Sequence, residues 1–253
     1  MKHYGIIGNP LGHSWSATYF NEKFAREGIE ADYVLYPIEH VMLQPQLDGY
    51  SVTIPYKEQI IPLLHALDPV AREIGAVNVV KTYPQPTGYN TDWIGFVASI
   101  RPLLQPSDRQ ALILGTGGAA KAVRYGLHTL GIQSQFVSRT SRPGCITYDD
   151  IDNEVMSSHT IIVNATPVGM FPHVNQCPDI PYELLSNQHV LFDCIYNPLQ
   201  TLFLTRGAEH HCRTMNGLKM LHIQAETAWE IWTMHDAECK MQNEKCRMKN
   251  DLI

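Results

Sequence analysis

Apolar and polar positions along the first hundred residues follow two rhythms, one of strands and one of helices. Residues 3–8 are an apolar run closed by Gly8-Asn9-Pro10, which predicts a strand. From Ser14 or Ser16 the apolar positions Trp15, Tyr19, Phe20 and Phe24 repeat at helical spacing, and Gly28 supplies a stop. Residues 31–37 and 50–54 read as strands, the second closed by Pro55. Pro55 is expected to open a helix with Lys57 in its first turn, where the missing N–H costs nothing. Residues 75–82 read as another strand, and Pro84-Gln85-Pro86-Thr87-Gly88 as the turn to a shorter partner at Tyr89. A helix capped by Thr91 or Asp92 then runs through Ile94, Phe96, Val97 and Ile100 to Leu104, where Pro102 and Pro106 mark a boundary. Beyond it lies a strand at 111–114, a turn Gly115-Thr116-Gly117-Gly118, a helix at 119–130 and a strand at 135–138. Further strands at 160–164 and 190–193 have the spacing of a parallel sheet with helical crossovers. Residues 218 to about 244, with Met220, Leu221, Ile223, Ala228, Ile231 and Trp232 apolar, predict a long helix or a helical pair. Two α/β units laid end to end imply two domains.

Composition narrows the function classes. With 44% hydrophobic and 17% charged residues, 17 Gly and 16 Pro, the chain of 253 residues is that of a globular protein with a sizeable core. Nineteen Lys+Arg stand against 25 Asp+Glu, for a net charge of -6 without a basic run. A nucleic-acid or anionic membrane partner is therefore not expected, although one local cationic pocket is allowed. Nowhere do about 18 consecutive apolar residues appear, and the first residues lack a secretory h-region, so a cytoplasmic location is expected. Cys145, Cys177, Cys194, Cys212, Cys239 and Cys246 are scattered without a CxxC pair and read as reduced thiols. His210-His211-Cys212 is the densest candidate for a metal, but neighbouring residues cannot all face one ion, so no metal is expected.

The glycine turn carries the first chemistry. Gly115-Thr116-Gly117-Gly118-Ala119-Ala120 matches G-x-G-x-x-A after an apolar strand and before a helix. The glycines allow close approach of a pyrophosphate, and the helix start offers N–H groups and partial positive charge. An NAD-selective site places an acid at the end of the next strand; here stands Ser138-Arg139-Thr140-Ser141-Arg142. Two guanidinium groups among hydroxyls suit a 2′-phosphate, which predicts NADP(H) over NAD.

A second set of polar residues lies earlier. Ser14 and Ser16 flank Trp15 at a helix start, Thr53 and Lys57 bracket Pro55, Asn78 ends Gly75-Ala76-Val77-Asn78, and Asp92 ends Gly88-Tyr89-Asn90-Thr91-Asp92. Singly they read as caps, a surface lysine and a turn. Taken in order with further blocks they carry a resemblance. The blocks are Gly8-Asn9-Pro10-Leu11-Gly12-His13-Ser14-Trp15-Ser16, Ser51-Val52-Thr53-Ile54-Pro55-Tyr56-Lys57, the two just quoted, the glycine turn and Ser138-Arg139-Thr140. They continue as Asn164-Ala165-Thr166 with Gly169-Met170, Asp193-Cys194-Ile195-Tyr196-Asn197-Pro198 and Gly217-Leu218-Lys219-Met220-Leu221-His222-Ile223-Gln224. From about residue 4 to 232 this series resembles the signature blocks of the shikimate dehydrogenase family.

The resemblance implies reversible NADP-dependent reduction of 3-dehydroshikimate to shikimate, on the route to chorismate and the aromatic amino acids. It implies that Ser14 and Ser16 hold the substrate carboxylate with Tyr196 nearby, and that Thr53, Asn78, Asp92 and Gln224 bind ring hydroxyls. Lys57, paired with Asp92, becomes the catalytic lysine. Gly115, Thr116, Gly117, Gly118, Ala119, Ser138, Arg139, Thr140, Arg142, Thr166, Cys194 and Gly217 contact NADP(H). The implied architecture is two α/β domains. A substrate domain spans 1–91 plus 218–253 and a doubly wound, Rossmann-like NADP domain spans 92–217, with the C-terminal helix returning to the first. Ala17 stands where the family commonly has proline, and Ser51 where it has asparagine. Neither change removes an assigned hydroxyl or charge. Serine at 16, where quinate-using relatives carry threonine, favours shikimate. A quinate/shikimate dehydrogenase and a non-catalytic NADP-binding regulator are the alternatives. The assembly is expected to be a monomer or homodimer, since Trp229 and Trp232 can pack inward or across a subunit boundary.

Overall fold

The structure, a computed structural model, describes residues 1–12 and 14–234. The chain divides into two units, Met1–Thr91 with the chain from Ala225, and Asp92–Gln224. In each a six-stranded sheet is packed with helices, a mixed α/β fold.

The first unit is built on β1 (Lys2–Gly8), whose buried residues alternate between two cores as a strand's side chains must. Tyr4 and Ile6 join Phe20 and Phe24 of α1 (Trp15–Glu27), while Ile7 joins Tyr50, Val52, Tyr56 and Val80. β2 (Ala31–Pro37) and β3 (Gly49–Val52) flank β1 in parallel. The sheet continues through β5 (Val79–Lys81), antiparallel to both neighbours, to β6 (Thr87–Tyr89) and β4 (Ala66–Leu67). α1 ends as expected at Gly28, which takes the left-handed conformation at φ 65°.

Two readings of this unit are corrected. Residues 54–60 form turns, not a helix opened by Pro55. The Ile60 N–H reaches the Tyr56 carbonyl, but Ile61 and Leu63 bond back to Glu58 and Ile60, three residues away. Pro62, which has no N–H to donate, lies inside a short 3-10 helix at Ile61–Leu63, so the stretch does not continue as an α-helix. Residues 75–82 are not one strand either. Gly75 is the left-handed cap, φ 70°, of α2 (Pro69–Ile74), and only Val79–Lys81 pair in the sheet. Asp68, whose carboxylate accepts from the Val70 and Ala71 N–H groups, starts that helix with Pro69 behind it.

α7 (Leu218–Thr233) passes from the second unit into the first, where Trp232 lies among Tyr4, Phe20 and Tyr33 and donates from Nε1 to the Val80 carbonyl at 3.0 Å. Gly49 is required beneath it, since a Cβ there would come within 2.3 Å of the indole Cδ1. Trp229 packs edge-on against Tyr4, so both tryptophans are used within their own unit. Lys23 and Tyr19 of α1 hold Glu226 of α7 by an ion pair and a phenol hydrogen bond. The expected continuation of this helix past residue 234 lies outside the described residues.

The second unit is a parallel sheet in the order β12-β11-β10-β7-β8-β9. Its strands are β7 (Gln110–Leu114), β8 (Gln133–Ser138), β9 (Cys145–Thr147), β10 (Ile161–Asn164), β11 (Val190–Asp193) and β12 (Arg213–Met215). α3 (Asp92–Ile100), α4 (Gly118–Thr129), α5 (Asn153–Ser158) and α6 (Leu202–Glu209) connect and flank them. The chain leaves β7 in one direction across the sheet and returns from β9 to β10 on its other side. The carboxyl ends of β7 and β10 thus form the topological switch point of a Rossmann-like sheet, where such folds bind ligands. At the amino ends of the strands the Asp108 side chain is fully buried. It accepts from Arg213 (2.8 and 3.2 Å), the Gln105 N–H (2.7 Å) and the Thr160 hydroxyl (2.8 Å). Burial alone would raise this carboxyl; the bonds from Arg213, Gln105 and Thr160 outweigh it and hold it below its usual value.

Candidate functional site

In the first unit the candidate residues gather at the carboxyl ends of β1 and β3. Ser14 is the N-cap of α1 by backbone conformation, but its side chain makes no capping hydrogen bond. The hydroxyl expected to serve as a plain cap is thus not spent on the helix. Ser16, the second residue of α1, is buried. Thr53 presses on the end of β1: its N–H donates to the Ile7 carbonyl at 3.0 Å, and a Cβ on Gly8 would fall 2.5 Å from its Cγ2.

Lys57 sits half-buried in the turn after Pro55, with its backbone fixed on both sides. Its carbonyl accepts from the Val77 N–H at 2.7 Å, and the neighbouring Tyr56 is buried with its hydroxyl donating to the Ile38 carbonyl at 2.5 Å. Asn78 follows Val77. Its amide makes a reciprocal pair with Thr91, donating to the hydroxyl at 3.0 Å and accepting from the N–H at 2.7 Å. Asp92, next in the chain, is the buried first residue of α3, where a carboxylate is favoured by the helix dipole. Ser51, the departure noted above, accepts the Tyr33 hydroxyl at 2.9 Å, a contact within the core.

In the second unit the glycine turn, β10 and β11 meet along one rim. Gly115 has φ 105°, and a Cβ on it would lie 3.1 Å from Thr166 Cγ2 and 3.2 Å from the Ala165 carbonyl. Gly117 is the N-cap of α4, so no side chain there competes for the first-turn N–H groups, and that turn carries no acid. The rim continues to Gly217, where a Cβ would lie 2.3 Å from the Cys194 carbonyl oxygen. Ser138 ends β8 and accepts the Thr140 N–H at 3.3 Å, while Arg139 and Arg142 are exposed beside it. Arg142 reaches back to the glycine turn, donating from Nη1 to the Thr116 hydroxyl at 3.3 Å. Tyr196 follows β11 half-buried, and burial raises its phenol above the ordinary value. Gln224 lies on α7 with its amide donating to the Leu221 carbonyl at 2.9 Å.

The profile described as "Shikimate dehydrogenase substrate binding domain" matches residues 6–80. A curated relative from Desulforamulus reducens, named Shikimate dehydrogenase (NADP(+)), is 33% identical, covering 90% of this chain and 89% of its own. The chain belongs to the shikimate dehydrogenase family. Among solved structures, the shikimate dehydrogenase of Aquifex aeolicus superposes with a TM-score of 0.82 at 34% identity, covering 92% of both chains. The shikimate 5-dehydrogenase of Thermus thermophilus, solved with NADP(H) and shikimate, gives 0.81 at 28% identity over 92% of this chain and 94% of that one.

For a shikimate dehydrogenase family member the chain carries a polar group beneath the rim to which the sequence assigns no role: Asn164, Asp193 and Thr201, all fully buried. Its signal in the sequence is a polar residue closing each of two otherwise apolar strands. Among the described residues no cluster of three or more His, Cys, Asp or Glu is arranged to hold a metal ion, and no helix is long and apolar enough to cross a membrane. Cys212, of the histidine-rich turn, donates instead to the Ser186 carbonyl.

Proposed function

We propose that this chain catalyses the reversible NADPH-dependent reduction of 3-dehydroshikimate to shikimate. The second unit holds NADP(H), and the first supplies most of the substrate contacts. The observation that carries the reading is the reciprocal Asn78–Thr91 pair. It locks the segment beside Lys57 to the residue preceding Asp92 in one buried framework. The residues of the second unit fit the cofactor. Gly115 at φ 105° and the side-chain-free N-cap Gly117 leave room for phosphate oxygens over a helix start, and Arg139 and Arg142 stand where an acid would select NAD.

Bound there, NADPH would supply the hydride. As it reaches the ketone carbon, negative charge develops on oxygen, and the Lys57 ammonium stabilises that charge and delivers the proton. Asp92 orients the lysine and a ring hydroxyl. Ser14 and Ser16 donate to the carboxylate, and Tyr196 is a further substrate contact; Thr53, Asn78 and Gln224 hold the remaining hydroxyls. In the oxidising direction the proton and hydride leave by the same groups.

The test is a spectrophotometric assay of the pure protein with shikimate and NADP+, then NAD+, then quinate in place of shikimate. Turnover of shikimate with preference for NADP+ is expected. A protein that binds NADPH but turns over none of these substrates would be the non-catalytic regulator, and the proposal would fall.

A further inference from the structure

The rim of the second sheet is fastened from beneath by a polar chain that the proposed chemistry does not use. Asn164 closes β10, Asp193 closes β11 and Thr201 precedes α6, and the solvent-accessible surface of all three is 0%. Asp193 accepts three hydrogen bonds. Asn164 Nδ2 (3.1 Å) and the Ile195 N–H (3.0 Å) donate to one oxygen, and the Thr201 hydroxyl (2.6 Å) donates to the other. Asn164 passes the constraint on, its Oδ1 accepting from both the N–H (3.1 Å) and the hydroxyl (2.6 Å) of Thr166. The Cys194 N–H donates to the Asn164 carbonyl at 2.9 Å.

A carboxylate can only accept, so it sets the direction of every bond in this chain. The Asn164 amide must turn its nitrogen to Asp193 and its oxygen to Thr166. The Thr201 hydroxyl must give its proton to Asp193, which leaves its lone pair for the Leu204 N–H at the start of α6. The rim has little slack to absorb an error. Thr166 and the Ala165 carbonyl stand 3.1 and 3.2 Å from where a Cβ on Gly115 would be, and the Asp193 carbonyl stands 3.2 Å from one on Gly217.

We propose that Asp193 is a positioning residue for the cofactor: through Asn164 and Thr201 it holds Thr166 and Cys194 in register against the glycine turn. The proposal rests on the reading of Thr166 and Cys194 as NADP(H) contacts. Its location in the fold says which part of the cofactor depends on it. Such sheets bind a dinucleotide as two mononucleotide halves, the adenosine half over the first βαβ unit and the other over the second. Gly115 to Arg142 serve the first half, and the ends of β10 and β11 serve the second.

A supporting observation is that burial drives the Asp193 carboxyl up to about 6, despite bonds from Thr201, Ile195 and Asn164 that lower it. An acid whose folded pKa is raised above its unfolded value lowers stability at neutral pH, and that cost disappears as the pH falls below both values. A neutral side chain would spare the fold this cost. What the carboxylate supplies instead is the fixed direction of the bonds.

The experiment compares equilibrium binding of NADPH with that of adenosine 2′,5′-bisphosphate, which occupies only the first half. It uses the wild-type chain, Asp193→Asn, Thr201→Val and the conservative Thr201→Ser, with thermal unfolding alongside. Asp193→Asn is expected to weaken NADPH by on the order of tenfold, the effect of about one hydrogen bond to a charged group, and to leave the bisphosphate unchanged. Thr201→Val, which keeps the carboxylate and removes one donor, should shift NADPH in the same direction, and Thr201→Ser should restore it. If Asp193→Asn does not fold, the two threonine variants decide alone. Equal weakening of both ligands, or wild-type NADPH affinity in Asp193→Asn and Thr201→Val, overturns the proposal while leaving the cofactor reading intact. A wild-type chain that binds no NADPH overturns the cofactor reading, and this proposal with it.

Discussion

Replacing Asp108 by Asn separates what the sheet needs for stability from what it needs for binding. The carboxylate is fully buried and neutralises a guanidinium that is itself mostly buried. Arg213 also donates to the Leu103 and Gln188 carbonyls, at 2.6 and 2.5 Å, so it cannot swing out to water without breaking further bonds. Removing the charge leaves a buried cation uncompensated, which costs about 3–5 kcal/mol. With a urea slope of about 2–3 kcal/mol/M, the unfolding midpoint should fall by about 1–2.5 M, followed by far-ultraviolet circular dichroism. The pH dependence has a definite sign. A carboxyl held below its unfolded value contributes stability that is present above about pH 4 and lost as the pH falls through the folded value. The gap between wild type and Asp108→Asn should therefore narrow in acid. The double variant Asp108→Leu/Arg213→Met, which removes both charges, should lose less than Asp108→Asn alone. A midpoint within about 0.3 M of wild type would refute the reasoning, since that corresponds to under about 1 kcal/mol. So would a gap that widens in acid.

Lys57→Ala should lower kcat by about 10²–10⁴-fold, the usual contribution of a positioned proton donor, while NADPH titration gives the wild-type affinity. Arg142→Ala should raise the KM for NADP+ and leave that for NAD+ nearly unchanged, so the ratio of the two is the measurement. Gly115→Ala meets both a backbone unsuited to alanine, at φ 105°, and the Thr166 methyl; loss of about 1–3 kcal/mol in stability and weaker NADPH binding are expected by denaturation and titration. Gly49→Ala drives a methyl group into Trp232 and should cost about 1–3 kcal/mol, read as a lower thermal midpoint.

The parallel half of the fold was legible because its strands are buried on both faces. They read as plain apolar runs at 111–114, 160–164 and 190–193, each within a residue of the observed strand. The glycine turn was legible for a different reason, since Gly115, at φ 105°, occupies a backbone position that other residues fill poorly. The errors came where punctuation was passed over. Pro62 has no N–H for a helix begun at Pro55 to continue through, and Asp68-Pro69 ahead of Gly75 spelled out a short helix whose cap, Gly75, was taken as the start of a strand. The Asn164–Asp193–Thr201 chain is a different kind of omission. Its members are 29 and 8 positions apart, and no period in the sequence links residues that meet only when neighbouring strands align. Of the candidate residues, Asn78 and Thr91 show the same difficulty on a smaller scale: the sequence marks both as polar, but only the folded chain pairs them.

Because α7 belongs to both units, the order in which the chain is made is not the order in which it can fold. The second unit is continuous in sequence, from Asp92 to Gln224, and contains all six of its strands. The first is interrupted: Tyr4, Phe20 and Tyr33 emerge early, but Ala225, Ala228 and Trp232, which complete their core, follow the whole of the second unit. At about 5–20 residues per second, the apolar face of β1 and α1 stays open through synthesis of the whole intervening unit. The half of the molecule that is made first closes second, and α7 is the segment that closes it.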